Sequence, residues 1–465
     1  MRPPLPFALR RLAPMASLAL GCTLALPVAV QARLGQPQPQ QPQVRVLLWQ
    51  GGTVQLRAAA AASGLRVRDG QGRPLWDLPA ERGLARLQLD VQNGWLRLRA
   101  LPAPEASMGP VPPAAPEVLL ARELWLEALP AVAEPDPGLW LQQRRYRGRL
   151  QLRLEAGQLQ VVNHVPLETY LTSVVGSEMP ANWPQEALRA QAVAARTYAL
   201  KARKPAALFD LQATTASQVY KGVEAETDST RAAVEGTRGL VLTYDDALID
   251  AVFHSSSAGS ATESSGQLWP RQLPYLVSVP DFDRDSPVRE WRLPLDAALL
   301  SRAFPELESV TAIEVLSITA TGRVRQARVV GPTGALLLSG AQLRSRLGLK
   351  STWVRFALLP IPAAVEEPAA AALLPPPLPA LTLPAPTSPT TEVLQLVALG
   401  RGYGHGIGMS QWGALGLARQ GESYAAILRH YYRGTQLRPY GPLAVAAAPG
   451  PGWSQQRAQA LTGSP

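Results

Sequence analysis

Residues 166–200, PLETYLTSVVGSEMPANWPQEALRAQAVAARTYAL, carry two helical patterns that meet at Ser177-Glu178-Met179-Pro180. In the first, Leu167, Leu171 and Val174 recur at i, i+4 and i+7, and the next step of that apolar stripe falls on Glu178. A carboxylate therefore takes a core-facing position. Pro180 ends the helix, because the residue before a proline is driven out of the α region, and Glu178 falls in the last turn. The pattern predicts a second helix opened by Asn182, with Gln185 as its capping-box partner and Leu188, Ala192, Ala195 and Ala199 on its buried face. Two packed helices then hold one acid in their crease. Burial disfavours the charged form and raises a carboxyl pKa, which is what a general acid near neutral pH requires. The competing reading of the same position is a salt-bridged structural carboxylate, with Arg189 or Arg196 as its partner.

Three further blocks follow: TTASQVYKGVEAE at 214–226, FHSSSAGSATESS at 253–265 and GRGYGHGIGMSQWGA at 400–414. Together with the opening stretch, and in this order, they resemble the stage II sporulation protein D and LytB amidase-enhancer family (SpoIID/LytB). The resemblance implies a domain of helices packed on strands over 146–440 and the activity of a peptidoglycan lytic transglycosylase. It makes Glu178, the acid of SEMP, the catalytic glutamate. The matching blocks offer Arg196, Tyr220, His254, Ser255, Ser256, Tyr403, His405, Gln411 and Trp412 as substrate contacts. Some relatives bind zinc through cysteines near the histidine matched by His254. Serines stand at those places here, so no metal is expected, and the chemistry needs no cofactor.

Read on its own residues, the last block alternates glycine from Gly400 to Gly408, which lets the backbone approach a ligand closely and take up positive φ. Its spacing, Gly-x-Gly-x-Gly-x-Gly, is not the dinucleotide fingerprint. Tyr403, His405, Gln411 and Trp412 form the mixed aromatic and hydrogen-bonding set that sugar rings require. A helix is expected from about Ser410 to Gln420, stopped by Gly421, and a last one N-capped by Ser423 that buries Ile427, Leu428 and Tyr431. His254 ends a strand pattern, Leu248 to His254, beside serines, but no Gly-x-Ser-x-Gly elbow accompanies it. Asp281 to Asp285 resembles the start of a calcium loop and lacks its glycine and closing glutamate.

Around these blocks the fold class reads as α+β. Residues 1–32 read as a signal peptide, with an uncleaved membrane anchor as the alternative: a basic start, an apolar run broken by Pro14 and Pro27, and a small-residue site at Val30-Gln31-Ala32. Cleavage after Ala32 leaves no cysteine, hence no disulfide, and no membrane span. A Gln/Pro-rich linker over 33–45 precedes a β-rich region, 46–145, with strand patterns at Val44–Leu48, Thr53–Arg57, Leu87–Val91, Trp95–Ala100 and Glu123–Leu126. Hairpins are expected at Gln92-Asn93-Gly94 and over 146–162. Residues 357–391 are a Pro/Ala-rich insertion, with ten prolines between Pro360 and Thr390, and 441–465 a disordered tail.

The 45 basic and 35 acidic residues give a formal net charge of +10. Such a surface favours an anionic partner, and for an exported protein of the periplasm or cell wall that partner is peptidoglycan. No recognition-helix, zinc-finger or aromatic-basic motif points to nucleic acid. Two other functions compete: a non-enzymatic wall-binding module that enhances a cell-wall amidase, and an acyl hydrolase built on His254 and a nearby serine.

Overall fold

A computed structural model describes residues 41–59, 64–78, 86–101, 119–129, 136–258, 261–360 and 394–441. The expected signal peptide, most of the Gln/Pro-rich linker, the bulk of the insertion and the tail lie outside the described residues. The fold is α+β.

Alternation of side chains builds the N-terminal half. Val44 and Val46, Leu87 and Leu89, Leu96 and Leu98, Leu124 and Leu126, and Leu150 and Leu152 all point inward at period two and are fully buried. They belong to a seven-stranded and a six-stranded sheet whose inner faces share one hydrophobic core. Asn93 and Gly94, both at positive φ, make the tight turn between Arg86–Gln92 and Trp95–Leu101. The five strand patterns of this region all appear. Several short strands that the sequence did not announce, such as Leu65–Asp69, Pro74–Leu78 and Leu139–Leu141, complete the sheets.

The boundary expected between 145 and 146 has no counterpart in strand pairing. Strand Gln158–Pro166 pairs on one side with Gln43–Gly51 and on the other with Arg149–Glu155, which in turn pairs with Glu123–Ala128. Part of the β-rich region, the strands Gln43–Gly51, Leu65–Asp69, Pro74–Leu78 and Glu123–Ala128, therefore shares its seven-stranded sheet with the hairpin that feeds the helices. Its long-range pairings are invisible to a reading of local periodicity.

Among the described residues eight helices follow: α1 (Leu167–Glu178), α2 (Gln185–Lys201), α3 (Asp228–Glu235), α4 (Ser265–Leu268), α5 (Ala297–Ala303), α6 (Gly340–Leu347), α7 (Gln411–Arg419) and α8 (Tyr424–Tyr431). Strand Gln158–Pro166 runs straight into α1. Leu188, Ala192, Ala195 and Ala199 form the buried side of α2 as expected. The capping box does not form: α2 begins after Pro184 with no side-chain cap. Asn182 is exposed, and Gln185 donates instead to the Ser229 carbonyl, 3.1 Å away. The strand expected from Leu248 to His254 is likewise broken. Ala247–Leu248 pairs with Thr243–Tyr244, whereas Phe253–His254 pairs in parallel with Met409–Ser410.

Arg196 on α2 is buried against Glu168 on α1, with Nε and Nη2 donating to the two carboxylate oxygens at 2.9 and 2.6 Å. Its guanidinium also donates to the Leu240 and Val234 carbonyls. One side chain thus ties together α1, α2, the end of α3 and the strand Leu240–Tyr244. Where α1 passes the segment Val223–Ala225, a side chain on Gly176 would lie 2.0 Å from the Ala225 carbonyl, so only glycine admits that contact.

Residues 291–360 and 394–400 hold a second core, around Trp291, Phe304, Val324, Leu343 and Val354. Strand Val354–Pro360 pairs antiparallel with Leu394–Gly400, and Pro360 faces Leu394 across the ladder. The Pro/Ala-rich insertion therefore joins the ends of two neighbouring strands, and its first residues, 357–360, belong to the sheet rather than to a loop.

Two outcomes follow from these contacts. Removing one partner of the buried ion pair, in Arg196→Leu or Glu168→Leu, should destabilise the protein by about 3–5 kcal/mol, and the double apolar replacement should recover much of that. Thermal melting of the three variants checks it. Replacing 361–393 by a short Gly/Ser turn should leave the melting profile nearly unchanged, because the ends already face each other and closure cost depends weakly on loop length.

Candidate active site

Glu178 is the last residue of α1, and the Met179 amide closes the helix on the Val175 carbonyl. Its carboxyl is half-buried. Oε1 accepts a hydrogen bond from the Val219 amide at 2.7 Å, and Oε2 accepts one from the Gln411 side-chain amide at 3.3 Å. Burial pushes the pKa above the ordinary glutamate value, against the pull of these two donors and of the Lys221 charge. The negative end of the α1 dipole acts in the same direction as burial, and the last turn of α1 holds no basic residue to offset it. Neither Arg189 nor Arg196 serves as its partner: the first pairs with Glu186, the second with Glu168.

The segment that meets the acid is itself held tightly. Residues 217–222 alternate, with Gln218 and Tyr220 buried and Val219 and Lys221 turned the other way. Tyr170 donates its hydroxyl proton to Gln218, whose amide reaches the Ala195 carbonyl. The Lys221 amide donates to Ser177, and Ser173 donates to the Gly222 carbonyl. This fixes the Val219 amide on the end of α1.

Gln411 comes from the other side, as the first residue of α7, N-capped by Ser410. Trp412 follows it, and its ring meets that of Trp183 edge-on at 5.0 Å. Trp183 lies in the turn between α1 and α2, so this aromatic pair joins the two segments that supply Glu178 and Gln411. No motif of the sequence marks Trp183. The only available signal was a large aromatic in a proline-bounded turn, Asn182-Trp183-Pro184.

The glycine loop approaches the protein's own chain rather than leaving an open cradle. A side chain on Gly404 would sit 2.7 Å from the Cβ of His254, and one on Gly406 would strike the Arg323 guanidinium. His254 is buried. Its Nδ1 donates to the Ile407 carbonyl, so Nε2 is left to accept from Ser257 at 2.8 Å. Burial and the nearby His405 and Arg323 drive its pKa well below the ordinary value, so it is neutral at neutral pH. The Ser257–His254 contact has nucleophile–base geometry, but both groups are enclosed.

The remaining expected contacts divide by exposure. Tyr403 is 43% exposed. His405 is partly buried and lines the same cleft as Tyr403. Burial and the charges of Arg344 and Arg323 hold its pKa down to about 4. Ser255 is half-buried, and its carbonyl receives the Trp412 amide at 3.0 Å. Besides His254, three more residues expected to touch substrate are interior instead. Arg196 is consumed by Glu168, Tyr220 is packed between Tyr146 and Tyr170 with its hydroxyl on Asn163, and Ser256 donates to Asp283. Sequence blocks mark such residues as firmly as contact residues, because a frame that aims a carboxyl is as constrained as the carboxyl itself.

A family model described as SpoIID, Stage II sporulation protein, matches residues 155–244, the window that holds Glu178, α1, α2 and the Val219 segment. The chain is 32% identical over 304 residues to Stage II sporulation protein D of Bacillus subtilis (strain 168), covering 60% of this chain and 76% of that one. It is 32% identical over 308 residues to Stage II sporulation protein D of Bacillus amyloliquefaciens, covering 59% and 75%. It is also 32% identical over 323 residues to the Amidase enhancer of Bacillus subtilis (strain 168), where it covers 58% of this chain but 40% of the longer relative.

The raised pKa of Glu178 has a thermodynamic signature. The folded state holds this proton more tightly than the unfolded one, so the associated stability is complete below the ordinary glutamate value of about 4.3 and is lost as pH rises through the elevated value. Glu178→Gln removes the loss. Its thermal midpoint should match that of wild type near pH 4 and exceed it at pH 8. A lower midpoint at pH 8 means that the Val219 and Gln411 donors outweigh burial.

Proposed function

This chain belongs to the Stage II sporulation protein (SpoIID) family, and from that membership we propose that it is an exported enzyme that cleaves peptidoglycan glycan strands by lytic transglycosylation, with Glu178 as its single acid and base. The observation that carries the reading is the environment of Glu178: a carboxyl half-buried in a crease, its pKa raised, and oriented through both oxygens. Glycosidases that use water place two carboxyl groups across the scissile bond. The neighbouring acids here are otherwise engaged. Glu168 pairs with Arg196, Glu186 pairs with Arg189 and caps the Tyr424 amide, and Glu226 pairs with Arg147 and Arg231.

A lone acid suffices when the substrate brings its own nucleophile. Protonated Glu178 gives its proton to the glycosidic oxygen as the bond from C1 of N-acetylmuramic acid breaks, and the departing sugar leaves as an alcohol. The carboxylate then takes the proton of the C6 hydroxyl while that oxygen bonds to C1. The product is a 1,6-anhydro sugar, no water is consumed, and Glu178 ends protonated as it began. A raised pKa serves both halves of this cycle.

The other residues take supporting parts. Trp183 and Trp412 offer ring faces for sugars, Gln411 orients the acid, and Tyr403 and His405 line the neighbouring cleft. Arg196, Tyr220, His254 and Ser256 frame the site, and Ser255 joins the frame to Trp412. The formal charge of +10 suits an anionic wall in the cell envelope.

One relative bears the name Amidase enhancer, which supports a second reading, a wall-binding protein that stimulates an amidase and needs no acid at 178. A single variant separates the two. Glu178→Gln keeps the shape and can still accept from the Val219 amide, with the Gln411 amide turned to accept from its nitrogen, but it has no acidic proton to give, so it should abolish cleavage of peptide-stripped strands while glycan binding persists. Wild type should release fragments ending in 1,6-anhydro-N-acetylmuramic acid, each one water lighter than a hydrolysis product. Full cleavage by the Gln variant contradicts the enzyme reading. Reducing-end products would require a second carboxylate.

A further inference from the structure

Arg325, Arg344 and Lys350, none of which the sequence singled out, line one open cleft of about 600 Å³ together with Trp269, Tyr403 and His405. The cations come from separate pieces of the segment that holds the second core: Arg325 from the strand Val324–Gly331, Arg344 from α6, and Lys350 from the turn after it. Backbone contacts carry them to the glycine loop. The Gly404 amide donates to the Lys350 carbonyl at 2.9 Å, and Ser351 bridges Gly404.

Among the described residues none of the three cations forms an ion pair with a carboxylate. Their own neighbours do. Arg328 on the same strand pairs with Glu314, and Arg346 on the same helix pairs with Glu306. Pairing thus fails on the side that faces the cleft. Arg344 spends its Nε on the Leu349 carbonyl at 3.2 Å, and it is half-buried without a counter-charge, which lowers its pKa. Burial first, and then the charges of Arg344 and Arg323, lower the pKa of the neighbouring His405. Unpaired cations gathered in one cleft repel one another, and an anion bound there relieves that repulsion. Trp269 and Tyr403 supply aromatic faces beside them, so a carboxylate and a sugar ring are recognised in one place.

We propose that this cleft is a carboxylate subsite for an acidic sugar unit of the glycan strand, with Arg325, Arg344 and Lys350 taking the carboxylate and Tyr403 and Trp269 the sugar. The assignment rests on the glycan-cleaving reading above. Two sources carry the required chemistry: the lactyl acid of muramic acid, free once the stem peptide is removed, and a carboxylate of the stem peptide itself.

Full-length Glu178→Gln protein permits binding to be measured without turnover. Calorimetric titration compares three ligands of equal sugar length: peptide-stripped strands, peptide-bearing strands and chitin oligosaccharide, which has no carboxylate. Stripped strands should bind at least about tenfold tighter than chitin, with an advantage that falls as salt rises. Arg325→Gln and Lys350→Gln change exposed residues, so melting should be unaffected. Combined, they should bring stripped strands close to chitin while chitin binding is unchanged. Tighter binding of peptide-bearing strands, lost on the same substitutions, would keep the carboxylate subsite and assign it to the peptide. Equal affinity for all three ligands, or an equal loss for all three on substitution, would overturn the subsite. Wild-type cleavage of stripped strands alongside equal affinities would overturn the subsite alone, whereas a carboxylate preference without cleavage would overturn only the catalytic reading.

Discussion

The buried pair of Arg196 with Glu168 sets the relation between the first two helices, and the rest of the site is built on that relation. Two charges removed from water persist only when geometry and further hydrogen bonds compensate their lost hydration. Both conditions hold here: the pair is bidentate, and the guanidinium also satisfies the Leu240 and Val234 carbonyls. Fixing α1 against α2 fixes the crease in which α1 ends, and so the direction of Glu178. The first turn of α1 therefore carries a carboxylate that is always paired, and the last turn one that is kept half-dry. Two glutamates ten residues apart on one helix acquire different chemistry from their surroundings alone.

The acid is completed from a distance. Val219 arrives through a segment whose buried side chains, Gln218 and Tyr220, are clamped in the core, and Gln411 arrives at the head of α7 after the glycine loop. Glycines at 404 and 406 let that loop lie against His254 and Arg323. The loop's closeness to its own protein replaces the closeness to a ligand that its composition suggested. What it presents outward is Tyr403 and His405, at the edge of a cleft whose other wall belongs to the second core.

The local part of this arrangement was legible in the sequence. The i, i+4, i+7 stripe ending on Glu178, the stop at Pro180 and the Asn93-Gly94 turn are short-range consequences of helix period, proline sterics and positive φ. Long-range partners were not legible. Arg196 lies on the inward face of α2, so it could be read as a partner for Glu178 or as a substrate contact. Only the packing of α1 shows that Glu168 takes it. The joining of the N-terminal strands to the hairpin before α1, and the gathering of Arg325, Arg344 and Lys350 around one cleft, depend on pairings between distant segments. No window of sequence contains them.

The central claim is that its surroundings hold Glu178 protonated at higher pH than an ordinary glutamate, ready to act as an acid. Carboxyl ¹³C resonances of selectively labelled full-length protein, followed through a pH titration with Glu178→Gln to assign the signal, measure this directly. The account predicts a midpoint for Glu178 above the ordinary value of about 4.3, with exposed glutamates titrating near that value in the same spectra. A midpoint at or below it would mean a carboxylate ionised at neutral pH and held by the Val219 and Gln411 donors, and would contradict the account.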